Sequence, residues 1–208
     1  EHEYKTKPFY GFDSEDNGFG MPHYHQFAWR DGVAFSFSFR LLFLWACREF
    51  NLIAGNHITW CTNLEYDFGN ILKDWDVNAE SLDIRWRRGK LAKAILKFDP
   101  IKNNFGLKTD KKYSMEIWDT MNHWMMSVEK QGHILSEMMG FDFSKLKKEF
   151  FALKYSAMDA IISRSYASMQ AVEYERRNIP FKLTPGAVAM AWYMQGEDKD
   201  GNKFCKQK

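Results

Sequence analysis

The predicted fold depends on residues 114–139, which read SMEIWDTMNHWMMSVEKQGHILSEMM. Apolar or small residues recur in this stretch at alternating spacings of three and four, the pattern of a helix that keeps one stripe against a partner. They are Trp118, Met121, Met125, Val128, Gly132, Leu135 and Met139. Ser114 can cap the start of such a helix, and Gly140 suits a left-handed C-terminal cap. The pattern predicts one long helix over the whole stretch.

A second seam with the same alternation follows after a short connection. Its members are Leu146, Phe150, Leu153, Ala157, Ala160, Arg164, Ala167, Ala171 and Tyr174. At about 1.5 Å per residue, a helix of this length would approach roughly 50 Å. Because the connection is short, the two arms are expected to be antiparallel neighbours. We therefore predict a mainly α protein built on a long antiparallel helical hairpin at about 114–177.

Small residues on the two arms indicate where a further helix would pack. The predicted partner-helix contacts are Gly132, Ala157, Ala160, Ala167 and Ala171. Gly132 costs about 1 kcal/mol of helix propensity relative to alanine, and close approach of a neighbouring backbone is the expected compensation. Arg164 interrupts the small stripe, so its charge is expected to reach solvent or meet a carboxylate.

Glycine, proline and aromatic content divide the rest of the chain. The predicted regions are an extended aromatic-rich arm at 1–32, a helical and irregular region at 33–113, the hairpin with a short C-terminal helix at 114–196, and a polar tail at 197–208. The short helix is predicted over 186–195, with Thr184 as its cap and Pro185 at its first position.

The most hydrophobic stretch, VAFSFSFRLLFLWAC at residues 33–47, is predicted to begin a helix that ends near Gly55. The Phe-Ser alternation at its start would also suit a strand. The apolar run is too short to span a bilayer, and Arg40 divides it. A buried helix is the first interpretation. A helix at a membrane surface is the second, and a spanning helix would require an acidic or lipid partner for Arg40.

A basic segment is predicted on a helix running from Ala79 to about Phe98. Its candidate binding residues are Arg85, Trp86, Arg87, Arg88, Lys90, Lys93 and Lys97. Arginines interleaved with an aromatic residue suit phosphate contact and base stacking. The target would be a nucleic acid or an anionic lipid head group. A solvated helix face, or a surface paired with the preceding acidic segment, is the alternative interpretation.

No metal site, cofactor or catalytic residue is predicted. His57 and Cys61 are four residues apart, which would align them on a helix, and His23 and His25 alternate, which would align them on a strand. These four residues are the metal candidates, but a short-spaced cysteine pair is missing. On the first arm, four residues fall away from the seam and are interpreted as surface ion pairs. They are Asp119, His123, His133 and Glu137.

Composition sets few limits on function. The 29 basic and 27 acidic residues give a formal charge of +2, so the molecule as a whole is not predicted to bind polyanions. The three cysteines are an odd set and do not predict a disulfide framework.

We predict a non-catalytic structural or accessory subunit of a larger multi-protein assembly, membrane-associated and mitochondrial, for example in a respiratory-chain complex. The aromatic arm, the apolar helix at 33–54 and the small-residue stripe favour this hypothesis. The mitochondrial expectation also uses the mildly basic charge and the first residue, Glu1, which is not methionine. The predicted partners are other protein subunits and an anionic lipid or membrane surface. The alternatives are an RNA- or DNA-binding protein that uses the basic helix at 85–97, and a metal-dependent enzyme.

Overall fold

The computed structural model describes residues 7–16, 22–75, 77, 79–98, 112–143, 152–179 and 181–196. The strands in these ranges are β1 Phe9–Asp16, β2 Pro22–Trp29, β3 Gly32–Ser36, β4 Ile58–Cys61, β5 Leu82–Arg87, β6 Lys90–Phe98 and β7 Tyr113–Asp119. The helices are α1 Phe39–Phe50, α2 Leu64–Asp74, α3 Val128–Met139, α4 Ala152–Arg176 and α5 Pro185–Gln195. Short 3-10 turns cover Ala79–Ser81 and Thr120–Asn122.

The seven described strands form one mixed sheet in the order β3-β2-β1-β4-β7-β6-β5. The central strands β1, β4 and β7 are parallel, and an antiparallel pair extends the sheet on each side. Gly11 pairs with Trp60, and Cys61 pairs with Asp119. The carboxyl ends of the three parallel strands therefore meet at one edge of the sheet.

Helices cover both faces of this sheet, giving a three-layer α/β/α arrangement. Along β1, Tyr10 and Phe12 belong to a core shared with α1 and α2, whereas Phe9 belongs to a second core with α3 and α4. This alternation follows from the two-residue period of a strand. The second core is rich in large rings, and Trp60 contacts both Phe9 and Trp118 edge-on. The site described below lies between these layers.

The prediction of a mainly α protein with a hairpin at about 114–177 is wrong. Residues 113–119 are strand β7, which is buried along its whole length. Along it, Tyr113, Met115 and Ile117 alternate with Ser114 and Glu116, but this two-residue period is short and overlaps the helical spacing that begins at Trp118. The predicted seam crossed this strand by coincidence, and Met125, one of its members, is 88% exposed. A helix begins only at Val128, where the Ser127 side chain caps it.

Two other predicted helices are also wrong. Residues 33–54 are not one helix, because β3 ends at Ser36 before α1 begins at Phe39. The segment 79–98 is the β5–β6 hairpin, since leucine, isoleucine and tryptophan alternate with charged residues along β5. Within the described part of the chain, no helix has both the length and the apolar character needed to cross a bilayer. The predicted C-terminal helix is confirmed, and Thr184 Oγ1 accepts a hydrogen bond from the Ala187 N–H.

Candidate active site

Carboxylates gather at the carboxyl edge of the parallel strands, where α/β sheets commonly bind ligands. Asp13 and Glu15 lie in the last half of β1, and Asp119 is the final residue of β7. Asp67 reaches the same edge from the first turns of α2. Three backbone N–H groups hold the Asp119 carboxylate, those of Asn63, Leu64 and Met121. The loop after β4 is thereby fixed against the end of β7.

Asp67 is the most deeply buried member of this group, with 1% of its surface exposed. Its Oδ1 accepts a hydrogen bond of 3.0 Å from the Ser14 N–H. Its Oδ2 is also buried and accepts no hydrogen bond within the described part of the chain. Burial, followed by the negative charge of Asp13, raises the pKa of Asp67 well above its usual value. Burial also raises the pKa of Asp119.

Helix α4 closes the site by lying along β1. The Ser156 hydroxyl donates to Asp13 Oδ2 at one level. One turn further, a Cβ on Gly11 would stand 1.9 Å from the Ala160 carbonyl oxygen, so only glycine permits this approach. Another turn on, Arg164 Nε donates to the Phe9 carbonyl over 2.8 Å. These contacts, each four residues apart on α4, fix the helix on the strand.

The same contacts hold two further polar side chains of α4 near β1. Tyr155 and Asp159 flank Ser156 on α4, and Asp159 is buried. Tyr24 pairs with Glu15 in the sheet, and the groups that shift the pKa of Tyr24 show which of these side chains lie near it. Burial raises the pKa of Tyr24, and Glu15, Asp13 and Tyr155 raise it further. Tyr155 therefore lies within electrostatic reach of the β1 carboxylates.

The donor set fits a hard divalent cation. Carboxylate oxygens are the ligands that Mg²⁺, Mn²⁺ and Ca²⁺ prefer. The buried Oδ2 of Asp67 and the mutual repulsion of Asp67 and Asp13 are both conditions that a cation would relieve. Among the residues the structure describes, no three of His, Cys, Asp or Glu already stand at coordinating distance of one point. The described carboxylates thus act on one another electrostatically, but they do not surround a common point as metal ligands would.

Of the metal candidates named from sequence, Cys61 lies beside the carboxylates, since burial raises the pKa of its thiol and Asp67, Asp119 and Asp13 raise it further. His25 Nδ1 shares a 3.0 Å hydrogen bond with Ser14 Oγ. His57 Nδ1 lies 3.0 Å from the Ile53 carbonyl, and Cys61 is buried inside β4. The side chain of His23 falls outside the described residues. The four-residue spacing of His57 and Cys61 does not place them on one face of a helix, because residues 58–61 form strand β4.

The basic residues named from sequence are distributed over the β5–β6 hairpin rather than along a helix. Exposed members are Arg85, Trp86, Arg88, Lys90 and Lys97, and Arg87 is partly buried. Lys93 differs, because its ammonium pairs with the Glu116 carboxylate and lies over the Trp118 ring. The Lys93 side chain therefore contacts residues of the protein itself and does not belong to the exposed basic surface of the hairpin.

The small residues assigned to a partner helix lie against this chain's own elements. Ala160, Ala167 and Ala171 are buried, and Ala157 is partly buried. A Cβ on Gly132 would stand 2.4 Å from the Phe143 carbonyl oxygen. Arg164 meets a backbone carbonyl instead of the carboxylate or solvent that we expected.

Sequence reasoning missed the carboxylate site. The missed residues are Asp13, Glu15, Asp67, Tyr155 and Asp159. Two local patterns could have revealed part of it: acids two apart within an aromatic strand, and a tyrosine four residues before an aspartate on one helix face. The interpretation of Asp119 and His123 as surface residues of a helix is wrong, since Asp119 is the last residue of β7, His123 follows shortly after it, and both are buried.

No family model and no curated protein matches the chain. Phi29 DNA polymerase complexed with primer-template DNA and incoming nucleotide substrates matches with a TM-score of 0.59 at 12% identity, over 92% of this chain and 35% of that chain. The fold is similar to that of part of Phi29 DNA polymerase. The same polymerase complexed with single-stranded DNA matches with a TM-score of 0.55 at 13% identity, over 91% of this chain and 35% of that chain. The chain thus spans about a third of the length of Phi29 DNA polymerase.

The prediction of a non-catalytic, membrane-associated subunit is wrong. It depended on a helical hairpin, an irregular arm and a long apolar helix, and the described residues form a mixed sheet covered by helices instead. The fold of the chain is similar to that of part of a polymerase that has been solved with DNA bound. The predicted protein-subunit partners stay a prediction.

Divalent cations are expected to stabilise the protein. At a concentration near 100 times Kd, a bound ion adds about 2.7 kcal/mol, or roughly 5–10 °C in Tm for a chain of this size. The shift should be larger at pH 8 than at pH 6, because protons compete for the carboxylate of Asp67, whose pKa is raised. Differential scanning calorimetry measures this shift as the difference between the Tm in MgCl₂ or MnCl₂ and the Tm in EDTA. Equal Tm values in both would contradict cation binding.

Proposed function

We propose that this chain is a metal-dependent nuclease domain that hydrolyses phosphodiester bonds at the 3′ end of single-stranded DNA. The observation that carries the proposal is the gathering of Asp13, Glu15 and Asp67 at one edge of the sheet, beside the turn of α4 that carries Ser156 and the buried Asp159. The similarity of the fold to part of Phi29 DNA polymerase supports DNA as the substrate.

Clustered carboxylates on a sheet edge suit phosphoryl transfer. Divalent ions held between such carboxylates activate water and neutralise charge on the attacking and leaving oxygens. Water is the simplest acceptor for this chemistry, because hydrolysis needs no site for a second substrate. A carboxylate-rich site also repels the DNA backbone unless cations are present, so activity is expected to depend strictly on them.

The chain's own residues orient this chemistry. The Ser156 hydroxyl fixes one oxygen of Asp13, and the Ser14 N–H fixes one oxygen of Asp67. The opposite oxygen of Asp67 then points away from Ser14 and is available for a cation. Tyr155 carries its hydroxyl one helical turn before Asp159, where it can donate a hydrogen bond to a phosphate oxygen or to the attacking water.

The choice of the 3′ end follows from the DNA bound in the similar structures. Phi29 DNA polymerase was solved with single-stranded DNA and with primer-template DNA. A polymerase extends the 3′ end of a primer, so a hydrolytic site on the same fold would receive that end. The proposal for this chain is therefore stepwise removal of nucleotides rather than internal cleavage.

The test is hydrolysis of a single-stranded oligonucleotide labelled at its 5′ end. Removal from the 3′ end gives a ladder of progressively shorter labelled products in Mg²⁺ or Mn²⁺, and none in EDTA. Asp13→Asn, purified in the same way, is expected to lack this activity. Asp31→Asn removes an exposed carboxylate from the β2–β3 turn and should keep it. No cation-dependent cleavage by the wild-type chain would refute the proposal.

A further inference from the structure

The tip of the β5–β6 hairpin carries an arginine in a conformation that arginine rarely adopts. Arg88 and Gly89 connect the strands with φ values of 51° and 76°. Two-residue hairpin turns of this kind favour Asn-Gly, since a larger side chain is strained at positive φ. Residues held in this region cluster at functional sites, so the outlier points to a role for the Arg88 side chain.

A cavity of about 420 Å³ opens beside this tip, and we call it the hairpin pocket. Arg87, Arg88 and Lys90 line one side, and the segment after β7 with Pro185 lines the other. Arg87 is held in place by a 3.3 Å hydrogen bond from its Nη1 to the Asn122 carbonyl. The volume falls within the range of pockets that enclose small ligands.

His123 lines the hairpin pocket and carries a ring nitrogen that has no hydrogen-bond partner among the described residues. Its Nε2 lies 2.5 Å from the Lys182 carbonyl, so that nitrogen carries the proton and donates. The ring is 7% exposed, and its Nδ1 has no hydrogen-bond partner in the described part of the chain. Burial lowers the pKa of His123 to about 4, so the ring is neutral at physiological pH. A neutral Nδ1 accepts an N–H or O–H group from a ligand.

The hairpin pocket shares Asp119 with the edge of the sheet where the carboxylates gather. Asp119 lines the pocket, and the nearby Lys90 lowers the pKa of Asp119 against the larger effect of burial. Asp119 in turn raises the pKa of Asp67. The three basic residues of the pocket outnumber the single Asp119 carboxylate, which three backbone N–H groups hold in place, so the pocket keeps a net positive charge.

We infer that the hairpin pocket binds one nucleotide of a DNA single strand that extends from the carboxylate site. Its phosphate would lie on Arg87, Arg88 and Lys90, and a base or sugar donor would lie on His123 Nδ1. The choice of DNA rests on the proposed function. A nucleotide is favoured over a lipid head group because the pocket pairs cations with a buried acceptor, whereas polybasic lipid sites are open cationic surfaces.

The test is fluorescence anisotropy with a 12-nucleotide single-stranded DNA in EDTA, where hydrolysis cannot occur. Arg87→Ala/Arg88→Ala/Lys90→Ala is expected to weaken binding about 10- to 100-fold at low salt. It should also reduce the slope of log K against log salt by about 0.7, because the pocket takes one phosphate and each phosphate contact on a single strand contributes about 0.7. His123→Phe keeps a ring stacked on Phe181 and should weaken binding without changing the slope.

The matched control is Arg30→Ala/Arg48→Ala/Lys73→Ala, which removes the same charge from exposed positions on β2–β3, α1 and α2. It should leave the affinity within about twofold. Equal affinities of the wild type and the hairpin variant would overturn the inference. Loss of binding to phosphatidylserine vesicles but not to DNA would also overturn it, in favour of a lipid site. Because binding is measured in EDTA, a failed nuclease assay does not decide this result.

Discussion

Replacing Asp67 with asparagine is expected to lower nuclease activity at least about 10³-fold while raising the Tm of the cation-free protein. Asparagine keeps the oxygen that accepts from the Ser14 N–H but removes the buried negative charge. Electrostatic stabilisation by a held cation amounts to several kcal/mol, and about 4 kcal/mol corresponds to 10³ in rate. The activity loss thus follows from the carboxylate, whereas the contact to β1 survives.

The increase in Tm caused by Asp67→Asn is expected to depend on pH. Because the pKa of Asp67 is raised on folding, the folded state binds more protons than the unfolded state above pH 4 or so. The wild type therefore loses stability as pH rises from there toward the raised pKa, and Asp67→Asn does not. The difference in Tm between them, measured in EDTA, should widen from pH 5 to pH 8, by about 2–4 °C for each kcal/mol. A variant less stable than the wild type at pH 8 would show that Asp67 is structural.

Replacing Gly11 with alanine is expected to destabilise the protein by about 3 kcal/mol or more, near 6–12 °C in Tm. The added Cβ would stand 1.9 Å from the Ala160 carbonyl oxygen, and a helix backbone cannot yield to it without α4 shifting. That shift would draw Ser156 and Asp159 away from Asp13. Activity should therefore fall although every functional side chain is kept.

Gly69→Ala is the matched control for this prediction. Gly69 lies within α2, and a Cβ there would meet nothing within 4 Å. Glycine costs a helix about 1 kcal/mol relative to alanine, so this variant should be slightly more stable than the wild type. Thermal melts and nuclease rates of both variants separate the steric effect from the effect of removing a glycine. Equal Tm values for Gly11→Ala and the wild type would contradict the close packing of α4.

Sequence patterns predicted the elements whose ends are marked by local chemistry. The cap at Thr184 located α5, and the seam from Ala157 to Ala171 followed most of α4. Strand β7 escaped because its two-residue period covers only Tyr113 to Ile117, and Trp118 then fits a helical spacing with Met121 and Met125. The glycines near β1 suggested an irregular arm, whereas Gly11 is there because a helix from far along the chain lies on it.

The carboxylate site could not be assembled from spacing alone. Its members come from β1, α2 and α4, and no short motif joins positions 13, 67 and 159. Each aspartate taken singly is typical of a surface loop or a helix face. Their common environment appears only once the parallel strands set one edge and α4 lies across it.

The attachment of α4 to β1 also governs when the site can exist. The hydrogen bond from Ser156 to Asp13 joins residues 143 apart, and that from Arg164 to Phe9 joins residues 155 apart. Such distant pairing makes folding slow, since the chain must close a long loop before the contacts form. At about 5–20 residues per second, the ribosome needs roughly 7–30 s after β1 to deliver α4. A chain still being translated therefore holds its acidic strand without the helix that completes the site until synthesis has passed residue 176.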